Sequence, residues 1–345
     1  PEKGSHGYRI WSGETLKSFE HGGKRVCIPQ GWQAIGAVES NKDSAKYEAG
    51  KTGVRIHSSS FASTTLTFSN SAYEVTLLYP SIETTPKLLQ EYIAIVTHAF
   101  ERVGSLYGDS KTNVGRVHTV LVTAGLGQTS DEDNSVYPDP GIDVTFVILK
   151  PEHTRSEELL IHAVMHLYNR HRTDLTAYQK TQSPIPAGDW QELEASWAET
   201  AFRTADRART ERVDYLYTVH TALQTNTFVE IPGSPFNDRA ESEKIKKSVI
   251  MNENSTHLDS QYGHYVLGPL AMLAVEGLLQ KYKTKTHVAT LLQDLHTYRA
   301  RSFFDELGKL LPQKEVERVL RWMYGTETIP RELVFSAVHY YDSLT

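Results

Sequence analysis

Residues 154–170 read Thr-Arg-Ser-Glu-Glu-Leu-Leu-Ile-His-Ala-Val-Met-His-Leu-Tyr-Asn-Arg, and the interpretation of the whole chain depends on this stretch. Thr154 and Glu157 form a Thr-x-x-Glu capping box ahead of an apolar run, which predicts a helix start. In that helix His162 and His166 lie on one face, one turn apart, where both imidazoles can reach a single metal ion. The chain has 15 histidines, and roughly 0.65 such pairs are expected by chance. The spacing alone therefore leaves two partly buried core histidines as the competing interpretation.

Strand patterns precede this helix. Up to about residue 82, alternation and β-branched residues separated by Gly, Ser and Asn predict a β-rich part. Between these strands and the histidine helix, apolar residues at helical spacing predict an amphipathic helix over residues 89–103. The clearest strand candidates are residues 54–56, 64–68, 73–78, 116–123 and 142–149.

The rest of the chain has a helical pattern. From about residue 190 the sequence predicts helices almost throughout, apart from a Pro/Gly/Asn-rich loop at residues 231–238. We therefore predict an α+β protein. Its expected parts are a β-rich N-terminal domain over residues 1–82, an α/β part over residues 83–225 and an α-helical part over residues 226–345.

Composition excludes several classes of function. The formal net charge is −6, with both signs spread along the chain, so we expect no nucleic-acid partner. No apolar run is long enough to cross a bilayer, so we expect no membrane span. Cys27 is the only cysteine, which excludes an intrachain disulfide and a thiolate metal cluster. A transition metal would then be held by His and carboxylates, a combination that suits zinc.

Few features of the sequence indicate the cellular location of the protein. The chain begins at Pro1 rather than Met, so we expect a processed or trimmed form. The triplet that begins at Asn254 has the pattern of a glycosylation acceptor. A secreted or extracytoplasmic location is favoured over the alternatives.

A second helix could supply a third metal ligand. Residues 189–199 read Asp-Trp-Gln-Glu-Leu-Glu-Ala-Ser-Trp-Ala-Glu, with several carboxylates among aromatic and small residues. A zinc site with an open position needs three protein ligands, and a carboxylate can be one of them. The alternative to a ligand role, for each glutamate, is a structural one: a position on a charged, solvated helix surface.

The order of strand, His-x-x-x-His helix and carboxylate-bearing helix resembles the gluzincin zinc metallopeptidases. Residues 192–199 are similar to the Glu-Gly-Phe-Ala-Ser-Tyr-x-Glu run of aminopeptidase N-like enzymes. The resemblance implies a thermolysin-like α/β zinc-binding subdomain, Zn2+ as cofactor and a peptide or protein substrate. The expected strand at residues 142–149 could then pair with an extended peptide by strand addition.

The resemblance also implies roles for single residues. His162, His166 and Glu192 would be the zinc ligands, and Glu199 would be a carboxylate outside the ligand set that orients one of the ligands. Glu194 is the rival for third ligand, because Trp190 matches the family's tryptophan only with a one-residue slip.

A later tyrosine completes the resemblance. Tyr265-Val266-Leu267-Gly268 is similar to the Tyr-x-x-Gly opening of a helix in these enzymes. There the hydroxyl donates a hydrogen bond to the oxyanion of the tetrahedral intermediate, which implies that role for Tyr265. Tyr262 is the nearby alternative for this role. The structural alternative is that Tyr265 is a core aromatic residue at a helix start.

Three departures qualify the resemblance. Ala163 stands where His-Glu-x-x-His peptidases carry their general base, so the chain is expected to be inactive, and an engineered replacement is favoured over a naturally silent homologue. Glu192 follows His166 by 26 positions, further than in the family. The Gly-x-Met-Glu-Asn exopeptidase motif is missing ahead of the histidine helix, which favours an endopeptidase over an aminopeptidase. A zinc-binding recognition protein without catalysis and a metal-free protein are the rival classes.

Overall fold

Strands and helices of this protein are taken from a computed structural model. It describes residues 16–21, 25–28, 30–35, 39–46, 51–57, 61–69, 73–82, 84–107, 116–122, 137–139, 144–147, 154–170, 187–203, 206–224, 263–296, 302–323 and 327–344. The chain divides into an N-terminal unit (residues 1–105 and 109–171) and a C-terminal unit (residues 106–108 and 172–345). The predicted subdomain boundaries at residues 82 and 225 stay a prediction.

The N-terminal unit contains the strands. They are β1 Leu16–His21, β2 Arg25–Cys27, β3 Trp32–Ile35, β4 Glu39–Ser40, β5 Ser44–Lys46, β6 Lys51–His57, β7 Phe61–Thr67, β8 Tyr73–Pro80, β9 Arg116–Val122, β10 Tyr137–Asp139 and β11 Val144–Val147. Two small antiparallel sheets have the orders β1-β6-β3 and β2-β5-β4. The larger sheet has the order β10-β11-β9-β8-β7.

The larger sheet is mixed. Strands β8, β9 and β11 are parallel, while β7 and β10 are antiparallel edge strands. Helix α1 (Pro86–Tyr107) connects β8 to β9, as a parallel connection requires. Its buried side chains recur at helical spacing, and one of them, Phe100, stacks on Phe68 with ring centroids 5.3 Å apart. The amphipathic pattern at residues 89–103 therefore predicts α1 correctly.

Helix α2 (Thr154–Arg170) follows β11 and packs in the same unit. Tyr73 at the start of β8 meets the ring of Tyr168 edge-on, with centroids 5.2 Å apart. Glu157 lies 3.0 Å from His98 of α1, measured from Oε1 to Nδ1. The expected helix start is confirmed, and Glu157 contacts the neighbouring helix.

Helices make up the described part of the C-terminal unit. They are α3 Ala187–Ala201, α4 Asp206–Gln224, α5 Gly268–Lys281, α6 Val288–His296, α7 Phe303–Leu310, α8 Gln313–Met323 and α9 Arg331–Asp342. A π-helical turn, Gly263–Leu267, runs directly into α5. Every residue of α5 from 268 to 279 is buried, which identifies it as the central helix of this unit. At Gly277 a Cβ would collide with the backbone of Leu333, so glycine lets α9 approach α5 closely.

Each of the five ranges predicted as strands overlaps a strand, and both predicted helices are confirmed. The described residues beyond 190 are helical outside short connections. The loop expected at residues 231–238 lies outside the described residues. One expectation is wrong for the described strand: residues 144–146 of β11 pair with β9 on one side and β10 on the other, so these residues have no open edge for a peptide strand. Among the described helices, none combines the length and apolar character that crossing a membrane requires.

Candidate metal centre

The two histidines of α2 form a close pair. Their Nε2 atoms lie 2.9 Å apart, and their ring centroids lie 4.6 Å apart. His166 is 3% exposed, whereas His162 is half-buried. The spacing of four residues along a regular helix produces this arrangement, because it places the two side chains one turn apart on one face. Both Nε2 atoms therefore point to one place.

Glu192, the third expected ligand, lies on α3 in the C-terminal unit, whereas the histidine pair lies in the N-terminal unit. Glu192 accepts a hydrogen bond from the Tyr265 hydroxyl, with 3.2 Å between Oη and Oε2.

The ligand atoms of His162, His166 and Glu192 are of the types that zinc binds. Two imidazole nitrogens and one carboxylate oxygen are the protein ligands of a familiar class of catalytic zinc site. In a tetrahedral site with zinc bonds near 2.1 Å, ligand atoms lie roughly 3.4 Å apart. The 2.9 Å separation of the histidine nitrogens would widen by about half an ångström, a movement within reach of side-chain rotation.

Glu194, the rival ligand, has a different position. Its Oε1 accepts a 2.7 Å hydrogen bond from Trp190 Nε1, and its Oε2 lies 3.0 Å from His296 Nε2. All three side chains are buried, and Glu194 is 0% exposed. Glu194 is therefore part of the core of the C-terminal unit, and its contact with His296, 102 residues away, is invisible to sequence pattern.

Glu199 is nearly buried and pairs with a cation. Its Oε2 lies 2.7 Å from Arg212 Nη2 of α4. Its charge also acts on Tyr265, whose pKa it helps to raise. Arg212 is not predictable from the sequence, because nothing in the spacing of α3 and α4 relates it to Glu199.

Tyr265 lies in the π-helical turn before α5. Burial, and then the neighbouring charge of Glu192, raise the pKa of its hydroxyl above the usual value of 10.0. The hydroxyl therefore keeps its proton at neutral pH and acts as a hydrogen-bond donor. Single π-helical turns occur frequently at functional sites. The alternative, Tyr262, lies outside the described residues.

Ala163 follows the first histidine of α2 and is 0% exposed. Its methyl group can neither accept nor donate a proton, so this position contributes no acid–base chemistry. The histidine pair of α2 thus has an inert side chain at the position of the expected base.

Comparison with known proteins supports the fold. No protein-family profile matches the sequence, and no curated protein matches it. The chain is similar to the crystal structure of an aminopeptidase N family protein from Idiomarina loihiensis, with 12% sequence identity and a TM-score of 0.51 over 88% of this chain and 55% of that one. It is also similar to an M1-family zinc metallopeptidase from Deinococcus radiodurans, with 16% identity and a TM-score of 0.46 over 89% of this chain and 64% of that one.

These structures are longer than the chain. It spans 55% of the first and 64% of the second, so the likeness concerns part of each protein. At 12% identity, the Idiomarina structure shows a shared fold only. The α+β class expected from the sequence agrees with that fold and with the described elements.

Proposed function

We propose that this chain is the peptidase part of a zinc-dependent peptide hydrolase, with His162, His166 and Glu192 as the zinc ligands. The observation that carries the proposal is the histidine pair of α2, whose Nε2 atoms lie 2.9 Å apart and can bind one ion. The names of the similar solved structures, an aminopeptidase N family protein and a zinc metallopeptidase, point to the same chemistry.

A zinc ion in such a site supplies a Lewis acid that polarises a peptide carbonyl and lowers the pKa of a bound water. The chain's own residues have separate tasks. Tyr265 offers a protonated hydroxyl as a donor to the oxyanion that develops on the substrate. Glu199, held by Arg212, contributes negative charge beside the ligand set and is proposed to orient a ligand.

In this proposal, Ala163 makes the chain catalytically inactive. A peptidase of this type needs a general base to take a proton from water and return it to the leaving amine. A methyl group cannot do so. We favour a replacement of glutamate by alanine in an active parent, since the sequence retains the three proposed ligands and Tyr265.

We further propose an endopeptidase acting on peptides or proteins. An aminopeptidase needs acidic groups that bind the terminal ammonium of its substrate, and the sequence has no matched motif for that purpose ahead of α2. The edge strand nearest to α2 in sequence is β10, which can offer its outer edge to an extended peptide in place of β11.

A second candidate is a naturally silent zinc protein that binds peptides. The observation that favours it is the complete burial of Ala163. A methyl group packed on all sides is what a core position normally holds, and a carboxylate there needs both space and a partner.

Metal analysis together with a peptidase assay on Ala163→Glu tests the proposal. The chain is expected to hold about one zinc, and His162→Ala or His166→Ala is expected to lose it. Ala163→Glu is expected to cleave a broad peptide library. Absence of zinc from the chain would contradict the metal centre, whereas zinc binding without cleavage by Ala163→Glu would favour the silent protein.

A further inference from the structure

Tyr265 contacts a proposed zinc ligand directly. Its hydroxyl donates to Oε2 of Glu192 across 3.2 Å, and both side chains are half-buried. A phenol hydroxyl has one proton to donate. While that proton is engaged by Glu192, it is not directed at a substrate, so this contact describes the resting state of the site.

The contact is built into the packing of the C-terminal unit. Gly268, the first residue of α5, lies against Leu193, the residue next to Glu192. A Cβ at Gly268 would be 2.6 Å from Leu193 Cγ and 2.7 Å from the carbonyl oxygen of Gly263, closer than any real contact. Only glycine therefore lets the turn that carries Tyr265 approach α3 at the position of Glu192.

We propose that Tyr265 is a positioning residue for the metal ligand Glu192, in addition to its proposed role at the oxyanion. Its hydrogen bond restricts rotation of the Glu192 carboxylate and prepares it for zinc before any substrate arrives. Outer-shell hydrogen bonds of this kind orient metal ligands, and their loss weakens metal binding by about 10–100-fold. This inference rests on the proposed zinc site.

A double-mutant cycle separates an effect through Glu192 from a general effect on the fold. Zinc dissociation constants are measured by competition with a chromophoric chelator for the chain, Tyr265→Phe, Glu192→Ala and the double variant. We expect Tyr265→Phe to weaken zinc binding about 10–100-fold when Glu192 is present. In the Glu192→Ala background the same replacement is expected to change nothing, because the carboxylate that it positions is gone.

Tyr217→Phe is the matched control. Tyr217 is a buried tyrosine of α4, and its hydroxyl donates to the Ile329 carbonyl oxygen across 3.3 Å, so the replacement removes an equivalent hydroxyl that touches no proposed ligand. The zinc affinity of Tyr217→Phe is expected to equal that of the unmodified chain. The visible spectrum of the Co2+-loaded protein gives a second reading: it should change in Tyr265→Phe and stay unchanged in Tyr217→Phe.

Each outcome has one meaning. Equal zinc affinity of the chain and Tyr265→Phe overturns the positioning role while the zinc site stands. Equal losses with and without Glu192 overturn it as well, because they show an effect on the fold. If the unmodified chain binds no zinc, the proposed function and the positioning role both fail.

Discussion

The two faces of helix α3 carry carboxylates in different surroundings. Glu192 and Glu194 are two positions apart, which in an α-helix separates their side chains by about 200° around the axis. Glu192 is half-buried and meets Tyr265, whereas Glu194 is fully buried between Trp190 and His296. The same residue type therefore serves as a candidate metal ligand on one face and as a core hydrogen-bond acceptor on the other.

This comparison shows how tertiary contacts assign the role of a carboxylate. Glu199 is seven positions after Glu192 and returns to nearly the same face, where Arg212 pairs with it. Burial and partners distinguish these three glutamates more clearly than their spacing does. Replacements at α2 and α3 can test whether the distinction holds in solution.

The largest expected effect comes from the position that lacks a carboxylate. Ala163→Glu supplies the general base beside the histidines of α2, and a positioned base contributes typically about 10²–10⁴-fold in rate. We expect peptide hydrolysis by Ala163→Glu to exceed that of the chain by at least this factor. The measurement is kcat/KM on a fluorogenic peptide with zinc added.

Ala163→Gln is the control for this experiment, because glutamine has nearly the same shape and cannot act as a base. It is expected to bind zinc and peptide and to remain as slow as the chain. Equal rates for Ala163→Glu and Ala163→Gln would mean that position 163 holds no base in the parent protein.

The next largest effect separates the two faces of α3: a replacement on one face lowers stability, and a replacement on the other weakens zinc binding. Glu194→Ala removes the hydrogen-bond acceptor of Trp190 Nε1 and His296 Nε2. Each buried donor that loses its acceptor lowers the free energy of unfolding by about 1–3 kcal/mol. Glu192→Ala is expected to weaken zinc binding by more than the roughly 10–100-fold lost with an outer-shell partner, and to lower stability little. Urea unfolding and zinc titration measure the two quantities.

Glu317→Ala removes an exposed carboxylate of α8 that accepts a surface hydrogen bond from Gln313 across 3.3 Å. It is expected to leave zinc affinity unchanged and to change stability by no more than about 0.5 kcal/mol. The comparison of the two faces would be wrong if Glu194→Ala lost zinc with its stability intact, or if Glu192→Ala unfolded the C-terminal unit while zinc affinity persisted.

The sequence predicts the elements that depend on local pattern. The strands β6, β7 and β8, the helix α1 and the histidine pair on α2 follow from alternation, helical spacing and a spacing of four. The choice of Glu192 over Glu194 came only from a family resemblance, and local pattern could not make it. That choice depends on His296 and Tyr265, which are 102 residues from Glu194 and 73 residues from Glu192, respectively.

The wrong expectation has the same cause. A strand at residues 142–149 is visible in the sequence, but whether its edge is open depends on β10, a three-residue strand that carries Pro138. Short strands with proline leave almost no periodic signal. The sheet order that closes the edge of β11 therefore had to come from the structure.

A smaller effect is expected where α5 meets α3. Gly268→Ala places a methyl group 2.6 Å from Leu193 Cγ, and overpacking of this kind costs typically about 1–3 kcal/mol. Because Leu193 adjoins Glu192, zinc affinity should fall together with stability. Gly308→Ala is the control, since its Cβ meets nothing within 4 Å in the interior of α7. Gly308→Ala should raise stability by up to about 1 kcal/mol, the difference in helix propensity between glycine and alanine. An equal loss of stability in both variants would exclude a specific contact between Gly268 and Leu193.

The smallest expected effect concerns the amino terminus of the substrate. Of the three carboxylates compared on α3, Glu194 lies in the core, Glu199 pairs with Arg212 and Glu192 is the proposed ligand. None of these three carboxylates is therefore dedicated to a substrate ammonium. Ala163→Glu is expected to cleave an N-acetylated peptide and its free-amine counterpart with nearly equal kcat/KM, read by mass spectrometry of the products. An enzyme that binds the ammonium through a charged hydrogen bond would lose about 1.5–3 kcal/mol on acetylation, roughly 10–150-fold in rate. A loss of that size, with residues released one at a time from the free amino terminus, would identify an aminopeptidase whose ammonium-binding carboxylate is none of these three.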